Sequence, residues 1–142
     1  MEWITPKTDW KGYADKDGNY QGDYFNAKDY NRIKNNIKYL RDFAITLYKD
    51  FTIGDMGQDK EYTDYPYADE INLLEENLDI IVANTLQKDY GARQYFTDNG
   101  EFIDFMELNR IEGVMLDLYN HLCSQRDGRR MLIFMLGRRE VL

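Results

Sequence analysis

The sequence predicts a mainly α fold: a three-helix bundle with an irregular N-terminal arm, long connecting loops and a short C-terminal strand. Three observations lead there. Apolar residues recur in alternating steps of three and four along three separate stretches, the period of helices that each bury one stripe. A nine-residue pattern occurs three times at the start of these stretches, as Asp23-Tyr-Phe-Asn-Ala-Lys-Asp-Tyr-Asn31, Asp64-Tyr-Pro-Tyr-Ala-Asp-Glu-Ile-Asn72 and Glu101-Phe-Ile-Asp-Phe-Met-Glu-Leu-Asn109. The chain between them carries glycines and turn residues with no period of its own.

Residues 1–25 read as an arm, because Trp3, Pro6, Trp10, Gly12, Gly18 and Gly22 interrupt any period. The first helix starts after Asn26, a favoured N-cap, and Asp29 three residues on completes a capping-box-like pair. Phe25 and Tyr30 have the spacing of a hydrophobic staple. The seam Tyr30, Ile33, Ile37, Leu40, Ala44 and Leu47 carries this helix to about residue 49.

The middle helix has the seam Ile71, Leu74, Leu78 and Ile81. Tyr67 stands at its cap position and caps poorly, so Asp64 with Pro66 offers an alternative start. The third helix takes Asp104 as cap, Glu107 at the third position and Ile103 opposite Leu108. Its seam is Leu108, Ile111, Met115, Leu118 and Leu122, and Arg126-Asp-Gly128 is expected to end it.

The connections, roughly 51–65 and 89–103, are long for a plain antiparallel bundle. They hold Gly54, Gly57, Gly91 and the turn signal Asp98-Asn99-Gly100. They either wrap the outside or return the chain so that helices run parallel; antiparallel neighbours are the default expectation. The segment Met131–Leu136 before Gly137 reads as a short strand or extended arm. Such a strand can dock along the bundle, form a hairpin with the N-terminal arm or pair with another chain. One domain is expected over 1–142: an arm over 1–25, a bundle over 26–125 and a basic, apolar C-terminal arm over 126–142. Trp3, Trp10, Leu132, Phe134 and Leu136 are the interface candidates.

Composition limits the function classes. The chain has 142 residues, 43% apolar and 31% charged, which is the balance of a soluble globular domain. Its 12 tyrosines suit half-wet surfaces, whether interfaces or core boundaries. A net charge of −8 argues against a general nucleic-acid binder, which needs clustered Lys and Arg. The charge is uneven: Arg126, Arg129, Arg130, Arg138 and Arg139 face only Asp127 and Glu140 at the end of the chain. That tail is either solvated or meets an acidic patch of this protein or of a partner. Cys123 stands alone, so no internal disulfide framework is possible. The opening residues lack the pattern of a signal peptide, and Met131–Leu136 is too short to cross a bilayer. The chain is therefore expected to be made and folded in a cytoplasm, with no membrane insertion.

No catalytic constellation emerges, so no enzyme and no cofactor are expected. Asp15, Asp17, Asn19 and Asp23 occupy four positions of a calcium-binding loop, but Tyr20 and Asn26 replace its required Gly and bidentate Glu. A solvated turn is the better reading. His121 and Cys123, two apart on a helix, point to different faces and have no further His or Cys to complete a zinc site. The 26 carboxylates form helical pairs such as Glu75 and Asp79 by abundance alone. Gly54-Asp-Met-Gly57 lacks the Lys of a phosphate loop.

The most specific polar feature is the triplet Asn31, Asn72 and Asn109, one step past the seam start in each helix. Asn is a poor helix former, so its repeated use implies a task. The expected task is a clip: each amide bonds the backbone of the incoming arm and pins the aromatic before the cap, Tyr24, Tyr65 or Phe102.

The pieces Trp3-Ile-Thr-Pro-Lys-Thr-Asp-Trp10, Asp23-Tyr-Phe-Asn26, Asp29-Tyr-Asn-Arg-Ile-Lys34 and Glu107-Leu-Asn-Arg-Ile-Glu112 occur here in that order. Together they resemble small structural proteins and fibre-associated modules of bacteriophages and prophages of Firmicutes-type bacteria, found among tail or baseplate genes. The ending Arg130-Met-Leu-Ile-Phe-Met-Leu-Gly137 is also similar to closing segments of such proteins. The second helix, with Leu73-Leu74 in place of Arg-Ile, departs most from the pattern. The resemblance implies a non-enzymatic component of the virion tail, made in the host and bound to other tail proteins, to itself or to the host surface. Two other classes fit the same residues: a monomeric helical adaptor, and a cell-wall glycan-binding module using Trp3, Trp10, Tyr13 and Tyr20 as stacking platforms.

Overall fold

The structure, a computed structural model, describes residues 2–14, 16–23, 25–62, 64, 68–86 and 105–141, and within these not the side chains of 13, 14, 20, 21, 105 and 133–141. Asn26 is extended (φ −130°) and its side-chain oxygen accepts from Asp29 N at 3.2 Å. The Asp29 carboxylate returns the bond to Asn26 N at 3.2 Å, which closes the capping box. Helix α1 follows over Ala27–Ala44. It stops short of residue 49 because the chain turns: Thr46 Oγ1 donates to Phe43 O at 2.6 Å, and Arg41 Nη2 to Phe51 O at 2.9 Å.

Helix α2 spans Ala68–Asn84 and helix α3 spans Phe105–Val141. The expected caps at Tyr67 and Asp104, the Pro66 start, the turn Asp98-Asn99-Gly100, and Tyr24, Tyr65 and Phe102 lie outside the described residues. Before α1, strands β1 (Gly12–Ala14) and β2 (Tyr20–Gly22) form a small antiparallel hairpin with Tyr13 opposite Gln21. Gly22 has φ +125° and lies so close to the Lys11 carbonyl that a side chain there would collide with it.

The three predicted seams form one core. Ile33, Ile37, Leu40, Leu74, Leu78, Ile81, Ile111, Met115, Leu118 and Leu122 are all buried together, with Tyr30 and Ala44. Each fully buried Leu or Ile contributes roughly 1.5–3 kcal/mol, so the seam dominates stability.

Helix direction corrects the antiparallel expectation. Arg32 near the start of α1 pairs with Glu112 near the start of α3, while Tyr48, just past the end of α1, meets His121 further along α3. The two helices therefore run parallel. Arg110 and Glu75 likewise join the first halves of α3 and α2. Parallel helices need long return connections. Gly54–Lys60 lies in such a return from α1 to α2, and Ile4–Trp10, in the N-terminal arm, likewise runs back toward the helix starts; both segments are tied at both ends to helix side chains.

The C-terminal strand is also corrected: Met131–Leu136 lies within α3, which passes through Gly128 and Gly137. One Gly costs about 1 kcal/mol in a helix, too little to stop a run of Arg, Met and Leu, which favour helix. Six apolar residues in a row carry no period that separates strand from helix. The C-terminal arm expected over 126–142 is thus, as far as Val141, a continuation of the third bundle helix.

Candidate functional site

The polar residues with the most demanding geometry hold the return segments to the helices. Asn36, fully buried in α1, accepts from Ile4 N at 3.1 Å and donates to Ile4 O at 2.7 Å. Asn109 of α3 treats Trp10 in the same way, accepting from its N at 2.7 Å and donating to its O at 3.0 Å. Residues 4–10 therefore lie along the groove between α1 and α3. Asn77 of α2 pairs with both backbone groups of Gly54, and Asn31 of α1 with both of Lys60. Residues 54–60 therefore lie along the groove between α1 and α2. In each case a side-chain amide offers the donor and acceptor that a neighbouring strand would supply, and satisfies an extended backbone that has no sheet partner.

Asn31 and Asn109 each bond both backbone groups of one residue, Lys60 and Trp10, while the aromatics expected there, Tyr24, Tyr65 and Phe102, lie outside the described residues. Each grips a segment that returns from elsewhere in the chain. Asn72 occupies the equivalent place in α2 and is half-buried. Asn36 and Asn77 escaped the sequence reading, although each stands five residues after a member of the triplet.

Three residues after each triplet Asn stands a buried ionisable side chain: Lys34, Glu75 and Glu112. Glu112 accepts from four donors: Lys7 N at 3.1 Å, Arg32 Nε at 3.0 Å, Arg32 Nη2 at 2.9 Å and Trp10 Nε1. A carboxylate removed from water is tolerable only with such partners. Arg110 does for Glu75 what Arg32 does for Glu112, at 2.7 Å, and also bonds Glu107 at 2.8 Å. The shared Arg-Ile continuation is thus two copies of one interhelical ion pair. The helix that lacks the Arg, α2, has Leu73 there, and α1 has Lys34 in place of the acid. Lys34 turns instead to Asp59 at 2.5 Å and to Gly57 O at 3.3 Å. The Lys34 ammonium, with the Asn35 amide, holds the Asp59 carboxyl below the ordinary carboxylate range. Burial, with Glu70 and Asp69 nearby, pushes the Tyr30 phenol up to about 12.

The interface candidates separate. Trp10 is 3% exposed with its Nε1 bonded to Glu112, so it is core, and no sugar ring can stack on it. Its neighbour Phe25 lies with ring centres 6.0 Å away. Trp3 is half-buried and stacks on Tyr119 at 4.3 Å, beside Tyr39. Leu132 is exposed, and the side chains of Phe134 and Leu136 lie outside the described residues.

Asp15 of the weak calcium candidate also lies outside the described residues. Asp23 closes the hairpin base, accepting from Lys11 N at 2.9 Å and facing Lys7 at 3.5 Å. Among the described residues no group of three or more His, Cys, Asp or Glu is placed to hold a metal ion. His121 is half-buried, with Nε2 3.1 Å from Tyr48 Oη.

An open cleft of about 600 Å³ crosses the start of α1 between the two return segments, lined by Ile4, Lys28, Arg32, Asp59, Lys60 and Tyr62. Three of its charged side chains are already engaged with protein: Arg32 with Asp29 and Glu112, Asp59 with Lys34, Lys60 with Glu70 at 2.7 Å. Among the described residues, no helix is long and apolar enough to cross a membrane. Comparison of the chain with protein-family models, with curated proteins and with solved structures returns no match.

Proposed function

We propose that the chain is a non-enzymatic structural component of a phage or prophage tail, working in protein–protein assembly or host-surface attachment at a baseplate, tail tip or fibre. One observation carries the reading. The residues behind the resemblance to such proteins, Trp10, Arg32, Asn109 and Glu112, form a single connected latch between the N-terminal arm and two helices. The shared pattern is therefore a scaffold signature, as expected where one framework is reused with different contact surfaces. Its partners are other tail proteins, further copies of itself, or host cell-wall glycan, and its place is the virion, after synthesis in the host.

The test is direct. Particles purified after prophage induction are digested and analysed by mass spectrometry, and labelled with antibody for electron microscopy. The chain is expected in intact particles, with label at one end of the tail. Particles with complete tails that lack the chain would overturn the proposal.

A further inference from the structure

Helix α3 outruns the bundle. Among the described residues its last buried side chain is Leu122, and Arg129 still touches the turn that follows α1, donating to Leu47 O and lying 5.3 Å from the Tyr48 ring. The helix then continues to Val141, about 18 Å further at 1.5 Å per residue. Met131 and Leu132 on this projection are 61% and 57% exposed. They open a run of six apolar residues set between Arg129-Arg130 and Arg138-Arg139. Exposed apolar side chains such as Met131 and Leu132 on a projecting helix mark a contact site.

Charge selects the occupant. Residues 126–142 carry five Arg against Asp127 and Glu140, a net of +3 in a chain of net −8, so the remainder carries −11. Two such tails side by side would set Arg against Arg, which disfavours tail-to-tail pairing. An anionic lipid surface would attract the tail but repel the body behind it. The remaining complement is the body of another copy.

One face of that body matches. Between Ala68 and Asn84, α2 holds five acids and no Lys or Arg; Glu75 is engaged by Arg110 and Glu70 by Lys60, and Asp69, Glu76 and Asp79 are exposed. On the side away from its seam, Asp69, Leu73, Glu76, Ile80 and Ala83 follow in steps of four and three, so they share one stripe. Asp69, Glu76 and Ala83 are exposed, and Leu73 and Ile80 are half-buried. Acidic and apolar positions stand side by side there, as the Arg pairs and the apolar run do on the tail.

We propose that the projecting end of α3 docks on the outer α2 face of a second copy. Because α3 is continuous to Val141, the tail points away from its own bundle and reaches this face only in trans. The contact is head-to-tail, so each copy offers one tail and one face, and the assembly grows into a ring or a filament. The inference rests on the assembly reading above for its setting, while its test uses purified protein alone.

Size-exclusion chromatography with light scattering on the full chain, over a range of concentration and salt, reads the association. The wild-type chain is expected to associate, less so at high salt. Leu132→Asp removes the tail contact and Glu76→Lys the face contact; both sites lie outside the core, and circular dichroism checks that each variant keeps its helices. Each variant is expected to weaken association at least about tenfold. Mixing the two should restore a one-to-one complex that grows no further, because it holds one intact tail and one intact face. A wild-type chain that stays monomeric overturns the proposal and leaves the virion assignment to the particles. Wild-type association in Glu76→Lys overturns it by placing the tail elsewhere. Binding of the tail to anionic phospholipid vesicles without self-association overturns it in favour of a lipid surface.

Discussion

Asn36 shows how much one amide is asked to do. It sits fully buried in a helix, a place its propensity disfavours, because both of its polar ends match one peptide group of the arm. Asn36→Ala should cost about 1–3 kcal/mol, the penalty for orphaning that peptide. Asn36→Asp, nearly isosteric, should cost more at neutral pH, since a buried carboxylate would face the Ile4 carbonyl. Burial raises the folded-state pKa of the new acid, so its deficit should shrink as pH falls and the protonated acid regains a donor. Urea melts of both variants at neutral and acidic pH measure this; equal costs at every pH would show that the amide is not recognised.

Tyr30 predicts the opposite end of the pH scale. Its phenol is neutral in the fold up to about 12, against an ordinary value of 10.0. The stabilisation tied to that neutral form is complete below pH 10 and is lost as pH rises towards 12. Between those values the melting temperature should fall more steeply in the wild type than in Tyr30→Phe. Parallel curves would remove Tyr30 from the alkaline transition.

At the scale of elements, the helices were legible because burying one stripe leaves a period in the sequence, as Ile33, Ile37 and Leu40 do. The cap at Asn26 was legible for a local reason, since both partners of the box lie within four residues. Helix direction was not, because a heptad seam reads the same both ways. The seats of Asn31 and Asn109 were hidden for a related reason: their partners are backbone groups, and a peptide bond leaves no mark on residue choice. The end of α3 misled because Gly128 looks like a stop and an apolar run has no period. Since no residue beyond Leu122 is among the described buried ones and Arg129 is the last described to touch the bundle, ending the chain after Arg130 should leave its stability within about 0.5 kcal/mol in dilute solution. Denaturant unfolding of the shortened chain checks it.

At the scale of the molecule, equivalent positions of the three helices meet around one axis: Ile33, Leu74 and Ile111, then Ile37, Leu78 and Met115, then Leu40, Ile81 and Leu118 are buried in turn. A charge in this stack has no water and no partner, so Leu40→Asp or Leu118→Asp should abolish cooperative melting. Cooperative thermal unfolding in either variant would mean that the three seams do not close on one another. The repetition is imperfect where it matters for pairing, at Leu73 and Lys34, and there the return segment takes over through Asp59.

The latch at Trp10 has a consequence for the order of events in the cell. Its bonds join Lys7 and Trp10 to Asn109 and Glu112 across 99 to 105 residues of chain. A ribosome releases the arm 99 to 105 residues before its seat on α3, so Lys7 and Trp10 must wait, unseated, until that helix is made. Contacts that close so large a loop form late and slowly. The arm is therefore made early and locked late, and the latch completes only in a chain whose third helix has been made.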